Sequence, residues 1–459
     1  MSTYVIRRLL LMIPTLLGIT LVVFTVMAAS PGGISAQSLI EGQNLEPQAK
    51  KALEDYYNQL YGLDSPPAVQ YLRWLNNVSP VGFTFDEENN LSGFSFWKGS
   101  DLGTSFRYGR PVLDLLEERV PITLLLNALS LPLIYTLAIA VGVRAATERG
   151  KVFDVSSSAL MLGLWSIPTM LAGVLLIGFF ASDQYWHWFP TAGLSTREAL
   201  DMPFLPHWGS LQEVALLFGT GAVGTILGIG LALKAPRLLR VGLLAGVGLS
   251  LGLWMGANLP DPHQGVTVLL SLLLIVAIGG LGYTDYTGLR VSLLGLLGAG
   301  LGLAVGAQWG SGEFVRGFLL DRLWHLVLPV LCLTYSGFAF LSKLTRTAVL
   351  ENLMADYART AQAKGLAENV VLWKHVFRNS LLPLITVSAT LLPGLLAGSV
   401  IVESIFSIEG MGKLAVEAVQ TRDRELVLSI TLISGLLTLV GYLVADLCYA
   451  IADPRVSYD

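Results

Sequence analysis

DYARTAQAKGLAENVVLWKHVFRNSLLP, residues 356–383, is a polar, helix-forming stretch set between long apolar runs. It holds Arg359, Lys364, Lys374 and Arg378, and Lys343 and Arg346 stand just ahead of it. Basic residues gathered between spans stay on the cytoplasmic side of a membrane. Tyr357, Ala358 and Ala361 share one helical face, and its alanines admit close approach by another surface. Gly365 is expected to end that short helix in the left-handed conformation. Val370, Trp373 and Phe377 form the stripe of a second helix, and Pro383 opens the next span. The expected shape is a compact knob of helix, glycine break and helix. The residues alone leave a second reading open, an amphipathic loop lying on lipid headgroups.

The composition fixes the class around this segment. Only 14% of the 459 residues are charged, against about 25% in soluble domains. Mean hydropathy is +0.63. Apolar runs near the length of a membrane crossing recur along the chain, so the fold class is an all-α polytopic membrane protein. Ten spans are expected, near 9–29, 121–142, 157–180, 211–233, 238–258, 265–283, 288–307, 323–342, 382–403 and 426–449. The net charge of −4 suggests no nucleic-acid partner and no broad polybasic surface. Cys332 and Cys448 fall in apolar runs and read as small packed hydrophobes.

Basic residues orient the spans. Arg7 and Arg8 precede the first, and Arg144, Arg149 and Lys151 follow the second. Lys234, Arg237 and Arg240 follow the fourth, and Arg290 follows the sixth. With both termini in the cytoplasm, all of these clusters and the 343–382 segment fall on one side. The first run is too long for a signal-peptide core and reads as a retained anchor, although its exit, AASPGG, has the small residues that a cleavage site uses.

The 31–120 segment is then external. EPQAKKALEDYYNQLYGLD reads as a helix with Pro47 in its first turn and Gly62 at its end. SPPAVQYLRWL restarts a helix with Ser65 as its cap. SPVGFTFDEENNLSGFSFWKGS reads as turns and short strands. About 90 residues can pack on the spans but are marginal as an independent domain.

Catalytic chemistry is missing from the sequence. The string Gly410-Met411-Gly412-Lys413-Leu414 lacks the earlier glycine of a phosphate-binding loop and ends in Leu where Ser or Thr would hold magnesium. The histidines, 187, 207, 263, 325 and 375, show no metal-ligand spacing. His187 sits between Trp186 and Trp188, as in an interfacial aromatic belt. Asn127, Arg322, Glu403 and Asp446 are polar residues near or within spans. Glu403, beside the EGMG turn, is the candidate pathway residue, with a structural cap as its other reading.

ARTAQAKGL followed by VVLWKHVFRNSLLP resembles the cytoplasmic signature of permease subunits of ABC importers, most closely the peptide/nickel branch with its dipeptide and oligopeptide permeases. Arg359-Thr360-Ala361, where the broader importer pattern has Glu-Ala-Ala, and the longer Gly-to-Pro interval are features of that branch. Similar blocks recur elsewhere: YVIRRLLLMIPTLLGITLVVF, YGLDSPPAVQYLRWL, DLGTSFRYGRPVLDLLEERVPITLLL, SIPTMLAGVLLI, WFPTAGL, IVESIFSIEGMGKLAVEAVQTRDRELV and YAIADPR. The resemblance implies a coupling segment that meets an ATPase subunit, formed by Tyr357, Ala358, Arg359, Thr360, Ala361, Ala363, Lys364, Gly365 and Leu366. His375, Arg378, Asn379 and Pro383 would be its supporting arm. It implies no cofactor on this chain, with ATP and magnesium on the partners. Those partners would be two ABC ATPase subunits, a second homologous permease, an extracytoplasmic binding protein and membrane lipid, in a bacterial-type cytoplasmic membrane.

The chain departs from that pattern twice. Extra residues stand around 82–98. The family usually has six spans, and here four more intervene at 211–307, an even number that preserves the orientation of the later spans. The expected organisation is a first span at 1–30, the external segment at 31–120, core spans at 121–200, an inserted segment at 201–320, and the remaining core at 321–459. The added spans carry Gly224/Gly228, Gly242/Gly246, Gly248/Gly252, Gly252/Gly256, Gly298/Gly302 and Gly302/Gly306, a spacing that lets helix backbones approach. A secondary transporter or channel, which would need ionisable residues at midplane, and a non-transporting scaffold are the other readings of the residues.

Overall fold

The structure, a computed structural model, describes residues 2–30, 46–61, 63, 65–85, 91–205, 211–257, 264–283, 287–309 and 315–452. His207, His263, Gly62 and the last residues of YAIADPR lie outside them. In chain order the elements begin with α1 (Ser2–Ala29), α2 (Pro47–Tyr61), α3 (Pro67–Val78), β1 (Gly82–Phe85) and β2 (Leu91–Ser95). Next come α4 (Val112–Thr147), α5 (Val152–Ser166), α6 (Thr169–Phe180), α7 (Leu211–Lys234), α8 (Arg237–Ala257), α9 (Gln264–Gly282), α10 (Thr287–Trp309) and α11 (Gly317–Leu353). Then follow α12 (Asp356–Ala363), a helical turn at Glu368–Val370, a π-helical run at Val371–Phe377, α13 (Arg378–Ile405), α14 (Met411–Gln420) and α15 (Arg424–Ala452).

Six described helices, α1, α4, α7, α8, α11 and α15, are long and apolar enough to cross a membrane. Shorter apolar helices at Gln264–Gly280 and Arg290–Gly306, the 28-residue α13, and the pair α5 and α6 account for the other expected spans. That pair corrects the expectation of one straight span at 157–180. It bends by 97° between Ser166 and Thr169. Pro168 disfavours helical backbone at Ile167, which is extended at φ −84° and ψ 121°. The Tyr335 hydroxyl donates to the freed Ile167 carbonyl at 2.7 Å, which satisfies it where lipid would not.

Three other expected boundaries move. The span expected at 323–342 runs on to Leu353, so Lys343 and Arg346 lie on α11 rather than in a loop. The second span starts at Val112, which ends the external segment at Pro111. Pro383 lies inside α13, because the π-helical run leads into that helix without a break. Ser65 is not a cap either: Pro66 holds the cap position of α3 and Pro67 its first turn.

The chain forms two compact units, Met1–Gly173 with Pro329–Asp459, and Val174–Leu328. In the first, α3 packs on α1 and α15. Tyr71 and Trp74 are buried with Phe24 and Leu428, and the Thr20 and Tyr71 hydroxyls meet at 3.0 Å. The expected strands at 82–95 form an antiparallel hairpin. Cys332 is buried, but Cys448 is exposed and so is not the packed hydrophobe expected there.

In the second unit, α7 packs antiparallel on α10, and α8 on α9. A Cβ on Gly224 would stand 2.9 Å from the Gly298 carbonyl carbon, and one on Gly248 would stand 2.7 Å from that of Leu274. Only glycine permits backbones that close. Gly242 and Gly246 are the exception among the expected pairs, since both face open space. Trp186, Trp188 and Trp254 stack at 5.4 and 5.8 Å. His187 reaches Asp183 at 2.8 Å.

Candidate functional site

Two clusters occupy opposite ends of the helices they share. α4 carries Val143 in one and Thr123 in the other, about 30 Å apart at about 1.5 Å per residue.

At the first end, Ala358 and Ala361 are buried at 0% and 6% exposure. They pack with Val143 and Ala146 of α4, Val349 of α11, and Val371 and Val376. The alanine face therefore meets the chain's own bundle, which corrects the expectation that it faces another surface. Tyr357 is off that face and exposed, and its hydroxyl donates to Asn352 Oδ1. The buried stripe of the second helix is Val371 and Val376; of the expected Val370, Trp373 and Phe377, only the half-buried Phe377 packs against it. Val370 and Trp373 are exposed, because the wider π-helical turn rotates the apolar positions.

The end of α12 is a Schellman motif. The Leu366 N–H donates to the Ala361 carbonyl at 3.4 Å and that of Gly365 to Gln362 at 2.9 Å. Gly365 takes φ +80°, as expected for the residue that closes the helix. Residues 362–370 are exposed in an unbroken run that includes Ala363, Lys364, Gly365 and Leu366. Arg359 and Thr360 are exposed too; Arg359 pairs with Asp356 at 3.6 Å, and the Thr360 hydroxyl donates to the Asp356 carbonyl.

The expected supporting arm is mostly on the surface: Arg378, Asn379 and Pro383 are exposed and His375 is half-buried. Support comes from residues outside that expected arm. Asn352 donates to Ser380 Oγ at 3.1 Å, and the buried Ser380 hydroxyl donates to the Val376 carbonyl at 2.9 Å. Arg346 grips Asp154 through two hydrogen bonds of 2.5 and 2.8 Å, and the Gly150 N–H also donates to Asp154. The small residues Ser380 and Asn352 carry no sequence periodicity that would have marked them.

At the second end, Glu403 is fully buried. Thr123 Oγ1 donates to its Oε1 at 2.7 Å, and the Lys413 N–H donates to its Oε2 at 2.9 Å. The Met411 N–H donates to Thr123 Oγ1 at 2.9 Å, closing a ring of bonds around the EGMG turn. A Cβ on Gly410 would stand 2.6 Å from Glu403 Oε1, and one on Gly412 would stand 2.7 Å from Val400 Cα. The two glycines of EGMG are thus required by close approach to one carboxylate and its helix.

Beside this ring the segment between α1 and α4 is tied to the start of α15. Ser105 Oγ donates to Asp423 Oδ2 at 2.5 Å, and the Arg107 N–H reaches the same oxygen at 3.1 Å. Arg424 donates to Gln70 at 2.8 Å and pairs with Glu425. Tyr108 donates to Glu417, and burial with that carboxylate pushes its phenol up to about 12. Burial raises the Glu409 carboxyl, but Lys413 at 2.6 Å and Arg119 outweigh it and hold Glu409 below the usual range. Among the described residues no group of His, Cys, Asp or Glu is arranged to hold a metal.

Residues 224–458, just over half of the chain, match the family described as binding-protein-dependent transport system inner membrane component. Residues 1–127 match its N-terminal companion, and 128–223 fall in neither match. The chain is 29% identical to the oligopeptide transport system permease protein AppB of Bacillus subtilis, 25% to the dipeptide transport system permease protein DppB of Alkalihalophilus pseudofirmus, and 25% to the inner membrane ABC transporter permease protein YejB of Escherichia coli O157:H7. Each alignment covers all of both chains. The chain belongs to the family of binding-protein-dependent transport system inner membrane components, the permease subunits of ABC importers.

Proposed function

We propose that this permease moves peptides, and that residues 357–366 receive the force of ATP hydrolysis from a separate ATPase subunit. The observation that supports it is the mounting of the exposed 362–370 run. Its base, Ala358 and Ala361, is packed against α4, α11 and the π-helical run that leads into α13 at once. A push on the tip cannot be absorbed by a loose loop, and a packed contact passes it to helices that reach the Glu403 ring about 30 Å away. Rigid-body rocking of that bundle is the corresponding transport step. Peptide as the substrate rests on the relatives named for oligopeptide and dipeptide transport.

In the complete assembly the chain pairs with a second permease and two ATPases that hold ATP and magnesium. A binding protein delivers substrate to the external face, and both termini lie in the cytoplasm. The four helices 211–307 are an addition to the six-span core. Glu403 holds the EGMG turn against α4 instead of lining the pathway, since both of its oxygens are engaged.

The test is ATP-dependent peptide uptake by the reconstituted complex. Ala363→Arg and Leu366→Arg change exposed side chains, so the complex should insert normally and lose most uptake. Ala361→Arg instead disrupts the chain's own packing and does not isolate coupling. Uptake that survives both exposed substitutions, or that follows an ion gradient without ATP, would overturn the reading.

A further inference from the structure

The β1–β2 hairpin carries an aromatic surface that the described residues leave uncovered. Phe83 and Phe94 face each other across the strands with ring centroids 5.4 Å apart, and Phe94 meets Phe96 edge-on at 5.2 Å. Val81, just ahead of β1, continues that face by strand alternation. Phe83 and Phe94 are exposed, and Phe96 and the adjoining Trp97 are 79% and 88% exposed. A contiguous apolar patch of this kind marks a surface that something else covers.

The depth of the hairpin is set by α3. Asn76 Nδ2 donates to the Phe83 carbonyl and Asn76 Oδ1 accepts from the Phe83 N–H, both at 2.9 Å. The Lys98 ammonium donates to the Asn76 carbonyl, which ties down the exit of β2 as well. α3 in turn lies along α1: Trp74 is buried beside Phe24, and the Tyr71 hydroxyl lies 3.1 Å from the Leu17 carbonyl. Leu17 stands about 18 Å before the end of α1 at Ala29, at about 1.5 Å per residue. α1 is apolar over Tyr4–Ala29 and long enough to cross a membrane. So α3 runs beside the last turns of a span, at the level where the apolar core gives way to headgroups. Val69 and Leu72 of α3 are exposed on the face that carries Asn76, by i, i+3 and i+7 spacing. The hairpin thus hangs from the exposed apolar side of α3.

We propose that this hairpin is a membrane anchor, with Phe83, Phe94, Phe96 and Trp97 inserted into the headgroup boundary of the leaflet at which α1 ends. Trp and Phe are side chains that settle at that boundary. Among the described residues the aromatic face carries no charge, and the sequence puts Asp86, Glu87 and Glu88 in the connection between the strands. A protein approaching from water would have to reach these rings at lipid depth, which favours the bilayer as their cover. An anchored hairpin fixes the depth of α3 and, through the bond between Gln70 and Arg424, that of the start of α15.

The experiment places nitroxide labels on the full chain in phosphatidylcholine vesicles. Cys448→Ser removes the exposed thiol, and Cys332 is buried. Labels on Phe94→Cys and Phe96→Cys should be relaxed more by molecular oxygen than by a water-soluble nickel chelate, at depths of about 5–10 Å. Trp97 gives a second reading without a cysteine. The native emission minus that of Trp97→Phe should be quenched by brominated phosphatidylcholine and spared by aqueous iodide. Labels open to the nickel chelate, with Trp97 emission quenched by iodide alone, would overturn the proposal. So would labels shielded from both reagents, the sign of a polypeptide cover.

Discussion

Asn352 donates to Ser380 Oγ at 3.1 Å, tying the last turn of α11 to the first turn of α13 across the whole segment that separates them. The same amide donates to the Ala348 carbonyl at 2.8 Å, and its oxygen receives the Tyr357 hydroxyl. One side chain thus joins both flanking helices to the base of α12.

Asn352→Leu should loosen that joint without emptying the surrounding packing. Ser380 keeps its bond to Val376, so the expected loss is about 1–3 kcal/mol, that of a partner removed from buried polar groups. Thermal unfolding in detergent measures it. Peptide carried per ATP hydrolysed should fall further than unfolding alone explains.

The EGMG turn should tolerate no side chain at either glycine. Gly412→Ala places a Cβ against Val400 backbone, and overpacking of that kind costs about 1–3 kcal/mol. Glu403→Ala should destabilise the same region by stranding the Lys413 N–H and the Thr123 hydroxyl. Proteolysis of the 406–423 region compared with native chain would report both.

The carbonyl freed at the bend between α5 and α6 is satisfied by one hydroxyl. Tyr335→Phe leaves the Ile167 carbonyl without its donor inside an apolar setting. The expected cost is about 1–3 kcal/mol in thermal stability, with the rest of the Tyr335 packing retained. A melting curve unchanged from that of the native chain would contradict the role given to this bond.

Alkaline titration should act on the contact between Tyr108 and Glu417. The Tyr108 phenol is raised to about 12 by burial and Glu417, above its ordinary value near 10. A raised folded value means that its contribution is complete below about pH 10 and is lost as pH climbs through about 12. Glu409 works in the other sense. Its depressed value gives a contribution present above the ordinary carboxylate range and lost as pH falls through the folded value. Tyr108→Phe should take one tyrosine's worth of absorbance out of the part of a phenolate titration near pH 12, and Glu409→Gln should lessen the loss of stability at acid pH.

Long apolar runs and the glycine at 365 were legible in the sequence because each obeys a local rule of length or backbone conformation. Span ends were less so. Lys343 and Arg346 look like loop residues, yet α11 carries them, since Arg346 is bound by Asp154 almost two hundred positions away. The Ala358/Ala361 face was visible as a face, but its direction was not. Only the tertiary structure shows that Val143 and Val349 cover it. The apolar stripe of the following helix was misplaced because a π-helical run does not keep the 3.6-residue period. Glu403 stood out as a polar residue near a span, while its partner Thr123 had no signal at all, 280 positions earlier.

The most direct measurement of coupling is a photo-crosslinker placed at Leu366, an exposed residue at the tip of the mounted segment, in membranes holding the complete transporter. The expected product is a covalent adduct with an ATPase subunit whose yield changes on addition of ATP. Adducts with lipid alone, at a yield indifferent to ATP, would contradict coupling through this segment.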